Sequence, residues 1–290
     1  MTTVAFIGLG IMGRPMAGNL AKAGFQVVGY NRSEKTVDGV TMAGSVAEAV
    51  EGADVVATMV PDSPDVEAVM GDIFPSARKG TLVVDFSTIR PDVSARLAAE
   101  GAEHGMRVVD APVSGGEQGA IEGALSIMVG GAAEDFEAAR PVLEAVGKTV
   151  VHVGPAGSGQ TVKAANQLMV AGILELVSEA IVFLEAYGVN TEAAVQVLAG
   201  GLAGNTILQR KGAAMLARDF TPGFRIELHH KDMGIVTSAA REAGVVIPLG
   251  AAVAQLIASL NAQGDGGLDH SALLKLVSQL SGRLSTGSDR

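Results

Sequence analysis

The pattern of hydrophobic and polar positions differs between two parts of the chain, and it changes near residue 159. Before that point, short β-branched runs alternate with stretches in which apolar residues have helical spacing. The predicted strands are residues 4–7, 26–30, 55–59, 82–86, 107–110, 126–129 and 149–153. The predicted helices are residues 14–23, 46–51, 65–70, 91–104 and 134–145. This alternation predicts an α/β fold with a Rossmann-type doubly wound, mostly parallel sheet covered on both faces.

After residue 159 only helical patterns follow. Helices are predicted at residues 161–187, 193–198, 207–217, 226–242, 249–261 and 271–280, with glycine- and proline-containing turns between them. We therefore predict an α/β domain of Rossmann type over residues 1–159 and an all-helical domain over residues 160–290. The segment 161–187 is so apolar that it favours a place in the centre of that domain or in a subunit interface.

Composition and charge narrow the class of protein. The chain has 290 residues, of which 48% are hydrophobic, so it can bury a large core. Its formal net charge of −10 and its 3% of aromatic residues argue against a nucleic-acid or membrane partner. Glu175 and Glu179 would also be costly in lipid. The absence of cysteine excludes disulfides and thiolate catalysis and fits a cytoplasmic protein.

A glycine-rich segment follows the first predicted strand and opens the first predicted helix. Gly8-Leu9-Gly10-Ile11-Met12-Gly13 has the spacing G-x-G-x-x-G. In dinucleotide sites the first glycine permits a tight turn, the second admits the pyrophosphate, and the third lets helix and strand pack closely. Free N–H groups at the helix start then face the anion. This context favours a dinucleotide site over a purely structural glycine turn.

The residues after the second predicted strand select the cofactor in sites of this kind. An acidic residue there would hold the ribose of NAD, but this chain has Asn31, Arg32 and Ser33. The fork-shaped guanidinium of Arg32 suits a 2′-phosphate, to which Ser33 can donate a hydrogen bond. The segment therefore favours NADP over NAD, and the alternative is a solvated turn.

Two further segments carry candidate chemistry. Ser114-Gly115-Gly116 follows the predicted strand 107–110, and successive glycines leave backbone N–H groups that can bind an anion, although a plain loop is the alternative. Lys163 lies near the start of the long apolar helix, followed at helical spacing by Asn166 and Gln167. Apolar surroundings and the positive helix end would lower the pKa of this lysine and make it a proton donor. The alternative is an exposed lysine at a helix start.

Imidazole and charged side chains also occur late in the chain. His229 and His230 are adjacent, so only one can face a given direction on a helix, and neither has a partner at metal-ligand spacing. We therefore predict no metal site. Lys231 either contacts the cofactor or forms an ion pair, and the sequence leaves both open. Asp269 is expected to cap the helix that contains His270.

These segments resemble those of the β-hydroxyacid dehydrogenase family over the whole chain. The matching motifs are residues 6–13, residues 110–116, residues 157–167 and His230-Lys231-Asp232. The resemblance implies a Rossmann domain joined to a helical domain through which subunits associate into a homodimer or homotetramer. It also implies an NAD(P)-dependent oxidoreductase that acts on a small carboxylate-bearing hydroxy acid or its aldehyde.

The resemblance implies roles for the candidate substrate residues. Lys163 would be the catalytic acid in reduction and, when neutral, the base in oxidation. Ser114, Gly115 and Gly116 would hold the substrate carboxylate. Either Asn166 or Gln167 would orient the substrate, and Asp232 would support the site.

For the cofactor, the resemblance implies that Val60, Pro61 and Thr88 line the nicotinamide and that Lys231 contacts the cofactor. Family members often carry an acidic residue near the position of Asn31. The resemblance therefore keeps NAD open beside NADP.

Among substrates, the resemblance favours tartronate semialdehyde, reduced to glycerate. The features behind this expectation are Asn166-Gln167, residues 222–232 and residues 268–272. Enzymes of the same family acting on 3-hydroxyisobutyrate or succinic semialdehyde are alternatives. An imine reductase of similar architecture, or a non-catalytic cofactor-binding protein, would be expected to lack Lys163.

Overall fold

The computed structural model describes residues 1–33 and 35–283, which form two compact units. The units divide between Lys163 and Ala164, inside one continuous helix. The domain bounds given above, 1–159 and 160–290, stay a prediction.

The first unit contains a sheet and the helices that cover it. Its strands are β1 (Thr3–Ile7), β2 (Gln26–Tyr30), β3 (Val40–Met42), β4 (Val55–Thr58), β5 (Leu82–Asp85), β6 (Arg107–Asp110), β7 (Val113–Ser114), β8 (Leu125–Gly130) and β9 (Gly147–Gly154). Its helices are α1 (Gly13–Lys22), α2 (Val46–Val50), α3 (Ser63–Ser76), α4 (Pro91–Glu103), α5 (Gly116–Ile121), α6 (Ala133–Val146) and the start of α7 (Ser158–Ala186).

The strand order places a switch point beside the first strand. The order is β3-β2-β1-β4-β5-β6-β8-β7, and β9 pairs with β8. All pairs from β3 to β6 are parallel, whereas β8 runs antiparallel to β6 and β7. This confirms the mostly parallel sheet. The direction of strand addition reverses between β1 and β4, which is where ligands bind in doubly wound sheets.

Alternate residues of the central strands bury themselves on opposite faces of the sheet. Val4 and Phe6 pack with Leu20 of α1, whereas Ala5 and Ile7 belong to a second cluster that includes residues of α2, α3 and α4. All four of these β1 side chains are at most 2% exposed. Burial of each large apolar side chain contributes about 1.5–3 kcal/mol, so both faces of the sheet are stabilised by helices.

The structure adds elements that the pattern did not predict. β3 and β7 are too short to show an alternation, and α5 begins at Gly116, where no helix was predicted. The predicted helix 65–70 is too short, because α3 begins with a capping Asp62 and continues through Pro75. The long helix α7 begins at residue 158 instead of 161.

The second unit is helical, as predicted. After the remainder of α7 come α8 (Thr191–Gly200), α9 (Thr206–Leu216), α10 (Ile226–Glu242), α11 (Pro248–Ala262) and α12 (Leu273–Leu280), with short 3-10 turns at residues 265–267 and 270–272. Among residues 164–283, extended pairing is limited to an isolated bridge between Arg225 and Asp269. A core shared by α7, α10, α11 and α12 includes Leu174, Met233, Ile257 and Leu273.

Within the described residues, α7 is the one helix that is long and apolar enough to cross a membrane by length and composition alone. Half of its most apolar window is buried in the structure. Core helices of soluble proteins meet the same criterion. The helix is therefore weak evidence for a membrane span.

A buried carboxylate joins several segments of the second unit. Asp269 accepts hydrogen bonds from Lys211 Nζ at 2.7 and 2.9 Å and from the backbone N–H groups of Gly223, Phe224 and Ser271. Burial by itself would raise the pKa of Asp269, but Lys211 and the Ser271 hydrogen bonds outweigh it and hold the pKa below its usual range. The capping role predicted for Asp269 is confirmed.

Two imidazoles are packed together beside this carboxylate. The Nδ1 atoms of His229 and His270 are 3.0 Å apart, and the Phe224 ring packs against both imidazoles at a steep angle. His229 is 0% exposed and His270 is 6% exposed, whereas His230 faces solvent. Burial lowers the pKa of His270 well below its ordinary value, and the nearby His229 and Lys211 add to this effect.

We expect acid to destabilise this unit through His270. The folded protein keeps the ring neutral, whereas the unfolded chain protonates it as the pH falls below the ordinary pKa of 6.5. The stability from the neutral ring is complete above that pH and is lost below it, by up to about 1.4 kcal/mol per pH unit. Urea unfolding at about pH 7.5 and about pH 5.5 should show a larger loss for the wild type than for His270→Gln. Equal losses would contradict this assignment.

Candidate active site

The fingerprint turn after β1 needs glycine at two positions for reasons internal to the protein. Gly8 has φ of 98°, and a Cβ there would lie 2.3 Å from the carbonyl oxygen of Met59. A Cβ on Gly13 would lie 1.9 Å from the carbonyl oxygen of Gly8. The turn therefore packs against the end of β4, and α1 packs against the turn, as the fingerprint predicts.

The middle glycine is different, because no protein atom lies within 4 Å of a Cβ built on Gly10. Helix α1 then begins at Gly13 without a side-chain cap and without an acidic residue in its first turn. Arg14 adds a positive charge at the same helix end and is exposed. Open space beside Gly10 and an uncompensated positive helix end fit a bound pyrophosphate.

The segment after β2 is tied to the fingerprint. Asn31 Oδ1 accepts a hydrogen bond from the backbone N–H of Leu9 at 2.9 Å, and its Nδ2 donates to Ser33. Arg32 is 79% exposed at its side chain and forms an ion pair with Asp65 at 3.4 Å. Asn31 thus fixes the turn, while the Arg32 guanidinium extends into solvent at the same edge of the sheet.

The loops after β4 and β5 are held by a buried carboxylate, Asp85. Its Oδ1 accepts hydrogen bonds from Thr58 Oγ1 at 2.7 Å and from the backbone N–H of Ser87 at 3.0 Å. Ser87 Oγ in turn accepts from the backbone N–H of Val60 at 3.0 Å. Burial raises the pKa of Asp85 to about 6. This network shapes the loops that carry the predicted nicotinamide residues, of which Val60 and Thr88 are half-buried and Pro61 is exposed.

A second buried carboxylate, Asp110, holds the start of α7. Its oxygens accept hydrogen bonds from the backbone N–H groups of Gly157 at 2.7 Å and Gln160 at 3.0 Å. The register of the sheet places Asp110 directly beside Asp85 on the neighbouring strand. Burial raises the pKa of Asp110 despite these hydrogen bonds. The two acids therefore lie side by side at the carboxyl edge of the sheet, where the candidate loops begin.

The predicted catalytic lysine is buried and directed at the glycine-rich segment. Lys163 is 7% exposed, and its Nζ donates a hydrogen bond to the carbonyl oxygen of Val113 at 2.7 Å. Val113 directly precedes Ser114 in β7. Gly115 and Gly116 follow with φ of 138° and 66°, a backbone region that favours glycine. An ammonium group, a hydroxyl and a glycine turn therefore lie within one short stretch of structure.

The remaining predicted residues form a network of their own in the second unit. Asn166 Nδ2 donates to Gln167 Oε1 at 2.7 Å, and Gln167 Nε2 donates to Asp232 Oδ2 at 2.6 Å. Lys231 Nζ forms an ion pair with Asp232 Oδ1 at 2.9 Å. Asp232 is 3% exposed, so the charge of Lys231 compensates a buried carboxylate. The ion pair left open for Lys231 by the sequence is present, and a cofactor contact stays a prediction.

In the part of the chain that the structure describes, no group of three or more His, Asp or Glu side chains has an arrangement that could hold a metal ion.

Sequence reasoning missed the residues that support these loops. Thr58, Asp85, Ser87 and the side chain of Gln160 were not predicted to take part, because their hydrogen-bond partners are distant in sequence. One signal was present: Asp85 is the only charged residue of the predicted strand 82–86 and lies near its carboxyl end, and carboxyl ends of parallel strands are where sites form.

Family models match both parts of the chain. The model of the NAD-binding domain of 6-phosphogluconate dehydrogenase matches residues 3–154. The model of the NAD-binding region of NADP-dependent 3-hydroxyisobutyrate dehydrogenase matches residues 157–277.

Similar proteins cover almost the full length of the chain. The 2-hydroxy-3-oxopropionate reductase of Escherichia coli K12 is 41% identical over 94% of this chain and 96% of its own. The NAD-dependent L-serine dehydrogenase of Pseudomonas aeruginosa is 37% identical over 98% of this chain and 100% of its own. A solved structure of Mycobacterium tuberculosis 3-hydroxyisobutyrate dehydrogenase with L-serine has a TM-score of 0.87 and 36% identity, covering 95% of this chain and 98% of that chain. The names of these relatives state different substrates.

We expect two glycines of the fingerprint to respond differently to alanine. Gly10→Ala meets no protein atom, so it should change the unfolding free energy by less than about 1 kcal/mol while weakening NADPH binding at least about 10-fold. Gly13→Ala would collide with Gly8 and should lower the melting temperature clearly. Calorimetric titration and thermal unfolding measure the two effects. Normal NADPH affinity in Gly10→Ala would argue against a pyrophosphate at this turn.

Proposed function

The chain belongs to the 3-hydroxyisobutyrate dehydrogenase family of NAD(P)-dependent β-hydroxyacid dehydrogenases, and from this premise we propose that it reduces tartronate semialdehyde (2-hydroxy-3-oxopropionate) to glycerate. The family membership makes the chain an oxidoreductase with a nicotinamide cofactor. The choice of substrate is supported by the 41% identity to the 2-hydroxy-3-oxopropionate reductase.

One observation carries the catalytic part of the proposal, the buried ammonium group of Lys163 beside the Ser114 segment. A lysine that is 7% exposed and hydrogen-bonded to a carbonyl oxygen has a fixed position. General acids need such a position, because the proton donor must reach the reacting oxygen within hydrogen-bond distance. The same ammonium group would attract the negative charge that develops on that oxygen.

The proposed reduction uses these groups in one step. Bound NADPH or NADH supplies the hydride that the aldehyde carbon receives. As the carbon–oxygen double bond becomes a single bond, its electron pair moves to the oxygen, and Lys163 Nζ gives that oxygen a proton. The aldehyde thus gains a hydride and a proton and becomes a primary alcohol, while Lys163 is left neutral until it regains a proton from solvent.

The substrate carboxylate would bind at Ser114, Gly115 and Gly116. The hydroxyl of Ser114 can donate one hydrogen bond, and the two glycines present backbone N–H groups without side chains in the way. The ammonium group of Lys163 is hydrogen-bonded to the carbonyl oxygen of Val113, the residue before Ser114. A three-carbon acid whose carboxylate binds at Ser114 would therefore have its aldehyde within reach of that ammonium group. We assign the orienting contact in the second unit to Asn166, because Gln167 uses both ends of its amide within the network of Asp232.

The alternatives differ in substrate or in class. Relatives of the chain are named for L-serine and 3-hydroxyisobutyrate, so oxidation of these acids is a specific alternative. An imine reductase and a non-catalytic binding protein are less well supported, because Lys163 is present and buried.

A direct comparison of substrates tests the proposed function. Loss of reduced cofactor should be followed with tartronate, methylmalonate and succinic semialdehydes, and its gain with L-serine and 3-hydroxyisobutyrate. The proposal requires the highest kcat/KM with tartronate semialdehyde. A higher value with any other compound would reassign the substrate, and no turnover despite cofactor binding would remove the enzymatic role.

The role of Lys163 has its own test. Lys163→Met keeps the length of the side chain but has no proton to give, so kcat should fall by about 100- to 10,000-fold. Cofactor affinity should stay close to that of the wild type. Lys79→Met, at an exposed position of the same unit, is the matched control. Near-normal turnover in Lys163→Met would exclude it as the general acid.

We also propose NADPH as the preferred cofactor. Support comes from the exposed guanidinium of Arg32, which lies at the end of β2 where the ribose of a dinucleotide binds. Asp65 lies 3.4 Å from it, so this weak ion pair would have to open or rearrange when a 2′-phosphate binds.

Removing Arg32 should therefore reverse or erase the preference. In Arg32→Ala the ratio of kcat/KM for NADPH to that for NADH should fall about 10- to 100-fold, the loss expected for a charge-assisted hydrogen-bonded pair. Arg140→Ala, on the exposed face of α6, should leave the ratio unchanged. A wild type that prefers NADH, or an unchanged ratio in Arg32→Ala, would contradict the proposal.

Finally, we propose that the chain forms a homodimer or homotetramer through α7. Met169, Leu176 and Phe183 are spaced by seven residues on this helix and are 65%, 53% and 61% exposed. Large apolar side chains arranged in a stripe along one helix are typical of a helix interface.

Charge on this stripe should separate the subunits. Leu176→Glu and Phe183→Glu should lower the mass measured by light scattering at micromolar concentration, because an unpaired carboxylate would be buried on association. Val197→Glu, at an exposed apolar position of α8, should leave the mass unchanged. A monomeric wild type, or an unchanged mass in both stripe variants, would refute the interface.

A further inference from the structure

Gln160 occupies an unusual position in the first turn of α7. Its side chain is buried, with 1% of the residue exposed. Its Oε1 accepts a hydrogen bond from the backbone N–H of Ile89 at 3.1 Å, and its Nε2 donates to the carbonyl oxygen of Ser87 at 2.8 Å. The amide therefore binds both sides of Thr88 through the backbone alone.

The backbone of the same residue is bound in a different direction. Gln160 N donates to Asp110, which also binds Gly157 and so holds the start of the helix. Gly159 is required here, because a Cβ would lie 2.3 Å from the carbonyl oxygen of Met128 and 2.7 Å from Asp110 Oδ2. The helix start is thus hydrogen-bonded to the end of β6 and packed closely against β8 without help from the Gln160 side chain.

The backbone of Gln160 binds Asp110, whereas its side-chain amide binds only Ser87 and Ile89. This separation argues against a purely structural role for the amide. Asp110 already satisfies backbone N–H groups at the start of α7. A buried amide costs free energy unless both its ends are hydrogen-bonded, and here both ends are used on one loop. That loop carries Thr88, the residue predicted to line the nicotinamide.

The same helix turn carries the predicted general acid. Lys163 follows Gln160 at a spacing of three residues, on a neighbouring position of the helix surface. Its Nζ is held by Val113, while Gln160 holds the loop 87–89. A shift of this loop relative to the helix would therefore change the distance between the groups that line the nicotinamide and the proton donor.

We propose that Gln160 is a positioning residue for hydride transfer, which couples the Ser87–Ile89 loop to the helix that carries Lys163. It touches neither substrate nor cofactor and acts through the loop and the lysine. The inference rests on the proposed function for the reaction, but the coupling itself is a property of the protein without substrate.

Two variants of Gln160 separate the coupling from folding. Gln160→Glu keeps the size and one acceptor but loses the donor to Ser87, and it places a carboxylate opposite that carbonyl oxygen. Gln160→Met keeps the length and loses both hydrogen bonds. Gln209→Glu, on the exposed surface of α9, is the matched control for the change of charge. Circular dichroism and thermal unfolding identify the temperature range in which each variant is folded.

Kinetics give the first readout. In folded Gln160→Glu, kcat should fall about 10- to 100-fold, because small misplacements of reacting groups have effects of this size. KM for the aldehyde and Kd for NADPH should change less than about 3-fold, since the carboxylate and pyrophosphate sites are untouched. The deuterium isotope effect on kcat, measured with NADPH deuterated at the transferred position, should rise as hydride transfer becomes slower. A merely destabilised protein would show none of this split.

Hydrogen exchange gives a second readout that needs no substrate. The backbone N–H of Ile89 should exchange faster in Gln160→Met, which lacks its acceptor, than in the wild type and Gln209→Glu, while Gly157 keeps its protection. If the wild type reduces no semialdehyde, the proposed function fails. The exchange rate of the Ile89 N–H and the fluorescence of bound NADPH still test whether Gln160 couples the loop to the helix. Unchanged exchange and unchanged NADPH fluorescence would overturn the inference. An unchanged kcat and isotope effect in an active enzyme would overturn it as well.

Discussion

The hydrogen bonds from the start of α7 to the Asp110 carboxylate are the constraint on which the candidate site depends. They join a strand end of the sheet to the helix that carries Lys163, across 47 and 50 residues of chain. The carboxylate is buried, and satisfied backbone donors are what make such burial tolerable. Glycines at 130 and 159 let the chain approach the carboxylate, since a Cβ at either position would lie less than 3 Å from it. The position of the lysine is thus set by the sheet.

The candidate cofactor-binding and catalytic residues of the first unit lie at different positions along one edge of the sheet. The fingerprint after β1 offers a positive helix end and open space beside Gly10, which suits a pyrophosphate. Asp85 shapes the loops after β4 and β5, which lie on the other side of the switch point. In the proposed function, Lys163 and the Ser114 segment would supply a proton donor and an anion site further along the edge. The proposed cofactor site and the proposed proton donor therefore lie at the ends of different strands of one sheet.

Much of this was predictable where the chemistry is local in sequence. The fingerprint lies within six consecutive residues after a strand, so spacing alone predicted its turn and its helix. The apolar helix allowed a buried Lys163 but left an exposed lysine open, and the structure buries it. The short strands β3 and β7 were missed, because two or three residues show no periodicity. The supports given by Asp85, Asp110 and Gln160 were missed, because their partners are distant in sequence and only the folded sheet brings them together.

We propose that Ser114, Gly115, Gly116 and Lys163 act on one substrate. A crystal structure of the Lys163→Met variant with NADP and glycerate tests it most directly, because the variant should hold the product without turning it over. We expect the glycerate carboxylate within hydrogen-bond distance of Ser114 Oγ and of the glycine N–H groups, with its terminal hydroxyl facing residue 163. A carboxylate bound elsewhere, or a hydroxyl turned away from residue 163, would contradict it.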